Sequence, residues 1–259
     1  MIPTTKFLFG NLSKIAETYF STNSNVEFSG YGPIHVSTSI SFLICLLIIT
    51  TSIYRLWHYN IIIYAISTFY FILMILTFSR SGTFILIISL FAVFLVYRNK
   101  ANMIIPLAFI FILFYNIVIP ILNSSTYGAL GMRYSEVNPA SRINLMVSDL
   151  RVWAENPIFG VGLGKAKYNR REEFGEIRAS SHTEYTRFLS EQGLFGLFCL
   201  LILFRIFLYR IINEKSSTYL PIIIFFILFP SLYFLPSAFR TYLPAFSLGL
   251  SLLRPVQNQ

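Results

Sequence analysis

Residues 123–193 read NSSTYGALGMRYSEVNPASRINLMVSDLRVWAENPIFGVGLGKAKYNRREEFGEIRASSHTEYTRFLSEQG and separate two strongly apolar parts of the chain. This stretch holds 8 of the 11 acidic residues and 9 of the 20 basic residues of the protein. Loops of this length inside compact proteins are usually functional. We therefore expect one large loop to carry the chemistry of an otherwise apolar protein.

The composition is that of a membrane protein. Of the 259 residues 55% are hydrophobic and 12% are charged, and the mean hydropathy is +0.66. Several apolar runs approach the length that crosses a bilayer. The net charge of +9 does not indicate nucleic acid, because most of it lies at the ends of apolar runs, where basic residues orient membrane helices. Cys45 and Cys199 lie within apolar runs and are interpreted as core or lipid-facing thiols.

The apolar runs predict an all-α, polytopic membrane bundle of about seven transmembrane helices with one large outward loop. The predicted spans are residues 34–54, 61–78, 83–97, 103–122, 188–212, 219–235 and 241–253. The predicted divisions are an outward N-terminal tail at 1–30, four spans within 31–122, the loop at 123–193, and three spans with an inward tail at 194–259. Basic residues gather on one side, which places the loop on the periplasmic or extracellular side. The span centres are uncharged, with Arg205 toward the inner end of its span, and this disfavours a transporter.

Two helices are predicted inside the loop, the first from an amphipathic pattern and the second from a capping box. Residues 141–155 form an amphipathic helix with Ser141 as N-cap, expected to lie on the membrane or on the bundle. Its predicted apolar face consists of Ile143, Met146, Val147, Leu150 and Trp153. The second helix is predicted to begin with a capping box from Ser181 to Glu184 and to continue into the fifth span. This places His182 on the first turn, where the helix dipole favours a neutral imidazole.

The sequence F-G-V-G-L-G at residues 159–164 contains Gly160, Gly162 and Gly164. It is neither a dinucleotide-binding motif nor a Walker loop, because the spacing differs and no strand precedes it. The conformational freedom of glycine instead predicts a tight turn or a close backbone contact.

The histidine and the arginines of the polar regions each allow more than one interpretation. A neutral His182 suits a general base, but a solvated loop histidine is equally expected. Arg80 either snorkels to the interface or faces the bundle interior, where its small neighbours let helices approach closely. Arg142 opposes the dipole of its helix, an arrangement that a bound anion would favour. Solvated charges balanced by Glu172, Glu173 and Glu176 are predicted for Arg170, Arg171, Arg178 and Arg187.

Three motifs occur in a fixed order along the chain. They are S-R-S-G at 79–82, S-R-I-N-L at 141–145 followed by P-I-F-G-V-G-L-G at 157–164, and H-T-E-Y-T-R-F-L-S-E-Q-G-L-F-G at 182–196. Together they resemble the O-antigen ligase and O-antigen polymerase family. Members are bacterial membrane glycosyltransferases that act on undecaprenyl-pyrophosphate-linked sugars. The resemblance covers the chain from about Tyr31 onward. The family usually has more spans than the seven predicted here, so a complete enzyme, a truncated product and one part of a pair stay open. A second departure is Met146, where an aromatic residue is common in the family.

The resemblance implies an inverting, metal-independent glycosyl transfer without a cofactor. Arg80 and Arg142 would hold the donor pyrophosphate, and His182 would take the proton from the acceptor hydroxyl. Further substrate binding is implied for Arg178 and Arg187. Supporting positions at the site are Gly160, Gly162, Gly164, Glu191 and Gly193.

The first functional hypothesis is a polymerase that joins lipid-linked repeat units into O-antigen or capsule at the bacterial cytoplasmic (inner) membrane. The nearest alternative is a ligase that moves the glycan to lipid A core or a protein. A transporter or flippase component and an inactive truncated family member are alternatives of other classes. The expected partners are the undecaprenyl-pyrophosphate-linked glycan donor, the glycan acceptor and the bilayer, without nucleic acid. Further expected partners are a chain-length regulator, a flippase or a missing N-terminal half.

Overall fold

The computed structural model describes residues 33–54, 60–77, 79–97, 112, 116, 119–120, 124, 140–170, 183–214, 216, 219–235 and 241–253. All regular structure in these residues is helical. The helices are α1 (Pro33–Tyr54), α2 (Asn60–Leu76), α3 (Arg80–Val96), α4 (Ala140–Glu155), α5 (Ala166–Asn169), α6 (Glu184–Gln192), α7 (Leu194–Asn213), α8 (Tyr219–Tyr233) and α9 (Leu243–Leu252). The chain divides into two compact units, Met1–Val137 and Asn138–Gln259.

The prediction of a helical protein is confirmed for the described residues. Among the described residues, two helices are long and apolar enough to cross a membrane, at Pro33–Ile53 and Leu194–Asn213. The helices α2, α3, α8 and α9 are apolar but shorter. The fourth predicted span at 103–122 lies largely outside the described residues, and so does the tail at 1–30. The number of seven spans therefore stays a prediction.

In the first unit, α1 packs against α2 and α3. At one end the Ser37 hydroxyl donates to the Ser79 hydroxyl oxygen at 3.0 Å, and at the other the Tyr97 hydroxyl donates to the Ser52 carbonyl at 2.6 Å. The helices α1 and α3 therefore run in the same direction. A Cβ added to Gly82 would lie 2.5 Å from the Ser37 carbonyl oxygen. The close approach of helices predicted at residues 79–82 is thus confirmed, and it needs glycine because two backbones meet there.

In the second unit, the long helices alternate in direction. The Tyr185 hydroxyl of α6 donates to the Ser231 carbonyl at 2.8 Å, so α6 begins beside the end of α8. Near the end of α7, Arg210 donates to the carbonyls of Ser251 and Leu253 at 3.0 and 2.8 Å, where α9 ends. These contacts satisfy terminal carbonyls of α9 and place the ends of α7 and α9 together.

The predicted continuous helix from Ser181 into the fifth span is wrong. Thr183 caps α6, because its side-chain oxygen accepts from the Thr186 backbone N–H, and Glu184 is the first helical residue. Gly193 then separates α6 from α7 with a φ of 60°. A Cβ there would lie 2.5 Å from the Ile158 carbonyl oxygen, so a tertiary contact enforces the break.

The break moves the beginning of the apolar span to Leu194 and changes the position of a charge. Arg205 is the twelfth of the 20 residues of α7, and it is exposed. Its predicted location toward the end of the span is therefore wrong, since it lies close to the middle of this helix. The argument against a transporter from uncharged span centres does not hold for α7.

Candidate active site

The buried face of α4 is not the face that hydrophobicity predicts. Leu145, Ser148, Asp149 and Val152 are buried, at the spacing of one helical face. The predicted apolar residues Ile143, Val147 and Leu150 are exposed. Asp149 decides this orientation, because its partners lie on α6 and beside α5. The helix turns a partly polar face toward the protein and an apolar face away from it.

Asp149 is the centre of a buried polar network. Its Oδ1 accepts from Nε and Nη2 of Arg170 at 2.9 and 2.7 Å, and its Oδ2 accepts from the Thr186 hydroxyl at 3.0 Å. Each side chain of the ion pair is 1% exposed. The prediction that Arg170 is a solvated charge is therefore wrong, since Asp149 supplies the buried counter-charge. Arg171 lies outside the described residues.

The network ends at the cap of α6. The hydroxyls of Thr183 and Thr186 lie 2.8 Å apart. Because the Thr186 proton goes to Asp149, Thr183 must donate to Thr186. Thr183 also accepts from the Thr186 backbone N–H at 3.3 Å. Hydrogen bonds thus join Arg170 to the residue that directly follows His182 in sequence.

Two acidic side chains on α6 accompany Arg187. Its Nη2 lies 2.7 Å from Glu184 Oε2, and its Nε lies 3.9 Å from Glu191 Oε2. The Glu184 side chain is 1% exposed, and the Glu184 backbone N–H donates to the Phe234 carbonyl at 2.9 Å. The charge of Arg187 is therefore balanced on its own helix, whereas its predicted partners Glu172, Glu173 and Glu176 lie outside the described residues.

The glycine-rich turn is fixed to the end of α6. The backbone N–H groups of Val161 and Gly162 donate to the carbonyls of Ser190 and Glu191, both at 2.9 Å. Gly160, Gly162 and Gly164 have positive φ angles. A Cβ on Gly160 would lie 2.5 Å from the Glu191 carbonyl carbon. The prediction of a tight turn with close backbone contact is confirmed, and Glu191 anchors the turn through its backbone.

The sequence model of the family described as O-antigen ligase matches residues 65–201, which is more than half of the chain. The chain belongs to the O-antigen ligase family. The predicted resemblance is thereby confirmed. Members of the O-antigen ligase family are integral membrane proteins of the inner membrane, and membership supports a ligase-like or polymerase-like glycosyltransferase function. No curated protein and no solved structure matches the chain.

The segment of the chain that matches the O-antigen ligase family includes the three predicted catalytic residues. Arg80 is the first residue of α3 and is partly buried, and Arg142 is the third residue of α4. The side chain of Arg142 and the whole of Arg178 and His182 lie outside the described residues. Convergence of these groups on one pocket stays a prediction. Within the described ranges, no group of three or more His, Cys, Asp or Glu side chains is arranged to hold a metal ion.

Sequence reasoning missed Asp149, Arg170 and Thr186 as members of one network. A usable signal exists in the spacing of Leu145, Ser148, Asp149 and Val152, which is i, i+3, i+4, i+7. That pattern was hidden because the opposite face of the same helix is more apolar. The pairing of Asp149 with Arg170, 21 residues later, depends on the turn that folds back between them.

Proposed function

We propose that the protein is a membrane glycosyltransferase that polymerises undecaprenyl-pyrophosphate-linked repeat units into a surface polysaccharide. The observation that carries this proposal is the O-antigen ligase family match over residues 65–201, which includes Arg80, Arg142 and His182. An outward loop on a bundle of about seven spans is part of the proposal, because the lipid-linked donor would be used at the outer leaflet.

The proposed reaction is a single displacement with inversion. His182 accepts the proton of the acceptor hydroxyl as the hydroxyl oxygen bonds to the anomeric carbon. The bond from that carbon to the pyrophosphate oxygen breaks, and the electron pair leaves with the lipid pyrophosphate. Arg80 and Arg142 stabilise the negative charge that grows on this leaving group, so they lower the barrier without a metal ion.

The positions of both arginines support an anion site. Each lies in the first turn of a helix, where a cation is opposed by the positive end of the dipole. The first backbone N–H groups of a helix lack intrahelical acceptors. A pyrophosphate would accept from these groups and neutralise the guanidinium, which turns an unfavourable local arrangement into a favourable one.

The buried network supports a positioned base. Asp149 holds Arg170 and Thr186, and Thr186 holds the cap residue Thr183. We propose that this chain of hydrogen bonds fixes the backbone just after His182 and so orients its imidazole toward the acceptor. Arg178 and Arg187 are proposed as secondary contacts to the glycan or the pyrophosphate, with Arg187 acting beside Glu184 and Glu191.

The test is glycan transfer in proteoliposomes with a labelled undecaprenyl-pyrophosphate donor. His182→Ala should lower the rate roughly 10²- to 10⁴-fold, as expected for the loss of a general base. Arg80→Ala and Arg142→Ala should each lower it about 10²- to 10³-fold, as for the loss of a charge-stabilising donor. Arg151→Ala is the matched control, because Arg151 is an exposed arginine on the helix that carries Arg142. Full activity in all three variants would overturn the mechanism.

A ligase is the second candidate, because the matching family is described as O-antigen ligase. It would use the same donor and the same chemistry, with lipid A core or a protein as acceptor. Glycan length in a deletion strain separates the two functions. Surface glycans reduced to single repeat units identify a polymerase, whereas long glycans that stay on undecaprenyl pyrophosphate identify a ligase.

A further inference from the structure

The turn after α4 presents large apolar side chains on a fixed backbone. Phe159 and Leu163 are each 74% exposed, and Ile158 is also exposed. Yet the backbone between them is hydrogen-bonded to α6, and glycine is required at Gly160 by contact with the Glu191 peptide. These apolar side chains are therefore held outward by the fold. Water is a poor environment for such a cluster.

The turn adjoins the beginning of the apolar helix α7. The rings of Phe159 and Phe195 stack with their centroids 6.5 Å apart, and Phe195 is the second residue of α7. Only 6% of the apolar window of α7 is buried, so α7 is not a core helix. Its exposed residues continue from Phe195 through Phe198 to Ile202. The apolar surface of the turn is continuous with the surface of a helix long enough to cross a bilayer.

The length of α7 indicates the depth of the turn relative to the bilayer. Twenty residues rise about 30 Å, which is the thickness of the hydrocarbon core. The first turn of α7 would therefore lie at the boundary between acyl chains and headgroups. Basic and aromatic residues follow the turn, namely Lys165, Lys167 and Tyr168, with Lys167 Nζ 4.8 Å from the Tyr168 ring centroid. Such residues are typical of the headgroup region, where anionic lipids attract them.

We propose that residues 158–163 form an interfacial membrane anchor that inserts into the leaflet in which α7 begins, with lipid as its occupant. The exposed apolar face of α4, at Ile143, Val147 and Leu150, contributes an amphipathic surface directly before the anchor. The anchor holds the network of Asp149 and the cap of α6 at the bilayer surface. This inference uses the membrane location of α7 and does not depend on glycosyl transfer.

Nitroxide labelling of the full chain tests the anchor. In vesicles of phosphatidylethanolamine and phosphatidylglycerol, the label is placed at Leu163→Cys in a Cys199→Ser background. Labelling of the wild-type chain at Cys199 gives the lipid reference, because Cys199 is exposed on α7. Cys45 is buried and is therefore not expected to react with the label. Asn169→Cys in the same background gives the water-accessible reference, because Asn169 is exposed at the end of α5, on the headgroup side of the proposed anchor. The measured quantity is the ratio of collision rates with oxygen, which concentrates in lipid, and with a water-soluble nickel chelate.

A ratio at residue 163 that is several-fold above the ratio at residue 169 and close to that at residue 199 supports the anchor. A ratio equal to that at residue 169 would mean that the turn is accessible to water and does not enter the acyl chains, and it would overturn the proposal. Low collision rates with both reagents would also overturn it, because they would show that another protein surface covers the turn. Phe159→Cys provides a second label position at the same anchor and must give the same result.

Discussion

Replacement of Asp149 by asparagine should strongly destabilise the second unit. The substitution keeps the size of the side chain but removes the charge that compensates Arg170, whose side chain is 1% exposed. Loss of one partner from a buried ion pair costs about 3–5 kcal/mol, because the other charge stays buried without compensation. At about 2–4 °C per kcal/mol, the midpoint of thermal unfolding should fall by roughly 6–20 °C. Differential scanning fluorimetry of the detergent-solubilised protein measures this shift.

A double variant separates the charge effect from simple loss of packing. Asp149→Asn combined with Arg170→Gln leaves two neutral side chains, so the uncompensated buried charge that each single variant creates is absent. The double variant should therefore unfold at a higher temperature than either single variant. Arg151→Gln is the matched control on the exposed side of α4, and its stability should change by less than about 0.5 kcal/mol.

Two results would refute the reasoning about this pair. Wild-type stability in Asp149→Asn would show that Arg170 does not depend on the carboxylate. Strictly additive losses in the double variant would show that the two residues are not coupled.

Asp149→Asn should also slow glycan transfer at temperatures below its melting temperature, because the hydrogen-bond network of Asp149 ends at Thr183, next to the proposed base.

Three further results are expected from backbone contacts and from titration. Gly160→Ala should unfold at a lower temperature than Gly164→Ala. Each substitution places an alanine at a positive φ, which costs about 1–2 kcal/mol of stability. Only the new Cβ at residue 160 also meets a backbone, and this clash costs about a further 1–3 kcal/mol. Gly82→Ala should likewise destabilise the protein by about 1–3 kcal/mol, because the new Cβ meets the Ser37 backbone. Gly249→Ala is the control, since open space surrounds its Cβ, and it should stabilise the helix by up to about 1 kcal/mol. Thermal unfolding in detergent measures both effects. Burial raises the pKa of Tyr185 above 10.0 in the folded protein. As the pH rises above 10.0, the phenol therefore ionises in the unfolded chain before it does so in the folded protein, and the free energy of unfolding should fall. Tyr185→Phe should flatten this alkaline loss in stability measured across pH, while an unchanged alkaline profile would contradict the assignment.

The apolar runs could be read from sequence because their boundaries are local. The predicted spans at 34–54 and 61–78 agree closely with α1 and α2, since uninterrupted apolar residues allow no other stable element in a bilayer. The break at Gly193 could not be read in this way. Its cause is the carbonyl of Ile158, which reaches the position from a turn 35 residues earlier.

The orientation of α4 shows a second limit of sequence patterns. Hydrophobicity predicts that Ile143, Val147 and Leu150 face the protein, but these residues are exposed. A membrane surface offers the apolar face an environment as favourable as a protein core, so hydrophobicity alone does not identify the buried side. The identification of Asp149 as the inward residue requires its partner Arg170, which the sequence had suggested to be solvated.

Arg80 and Arg142 occupy equivalent positions in their helices. Both lie in the first turn of a helix, where a positive charge is unfavourable by about 0.3–1 kcal/mol at exposed positions. For Arg80 the helix start is also fixed in place, because Gly82 contacts the backbone of α1 and Ser79 shares a hydrogen bond with Ser37. An anion bound at such a start would gain from the guanidinium and from the unpaired N–H groups together, and a fixed donor geometry would lose little entropy on binding. At each of these two helix starts, a cation that opposes the dipole is an arrangement that a bound anion would favour, and this is the physical reason for proposing both arginines as pyrophosphate ligands.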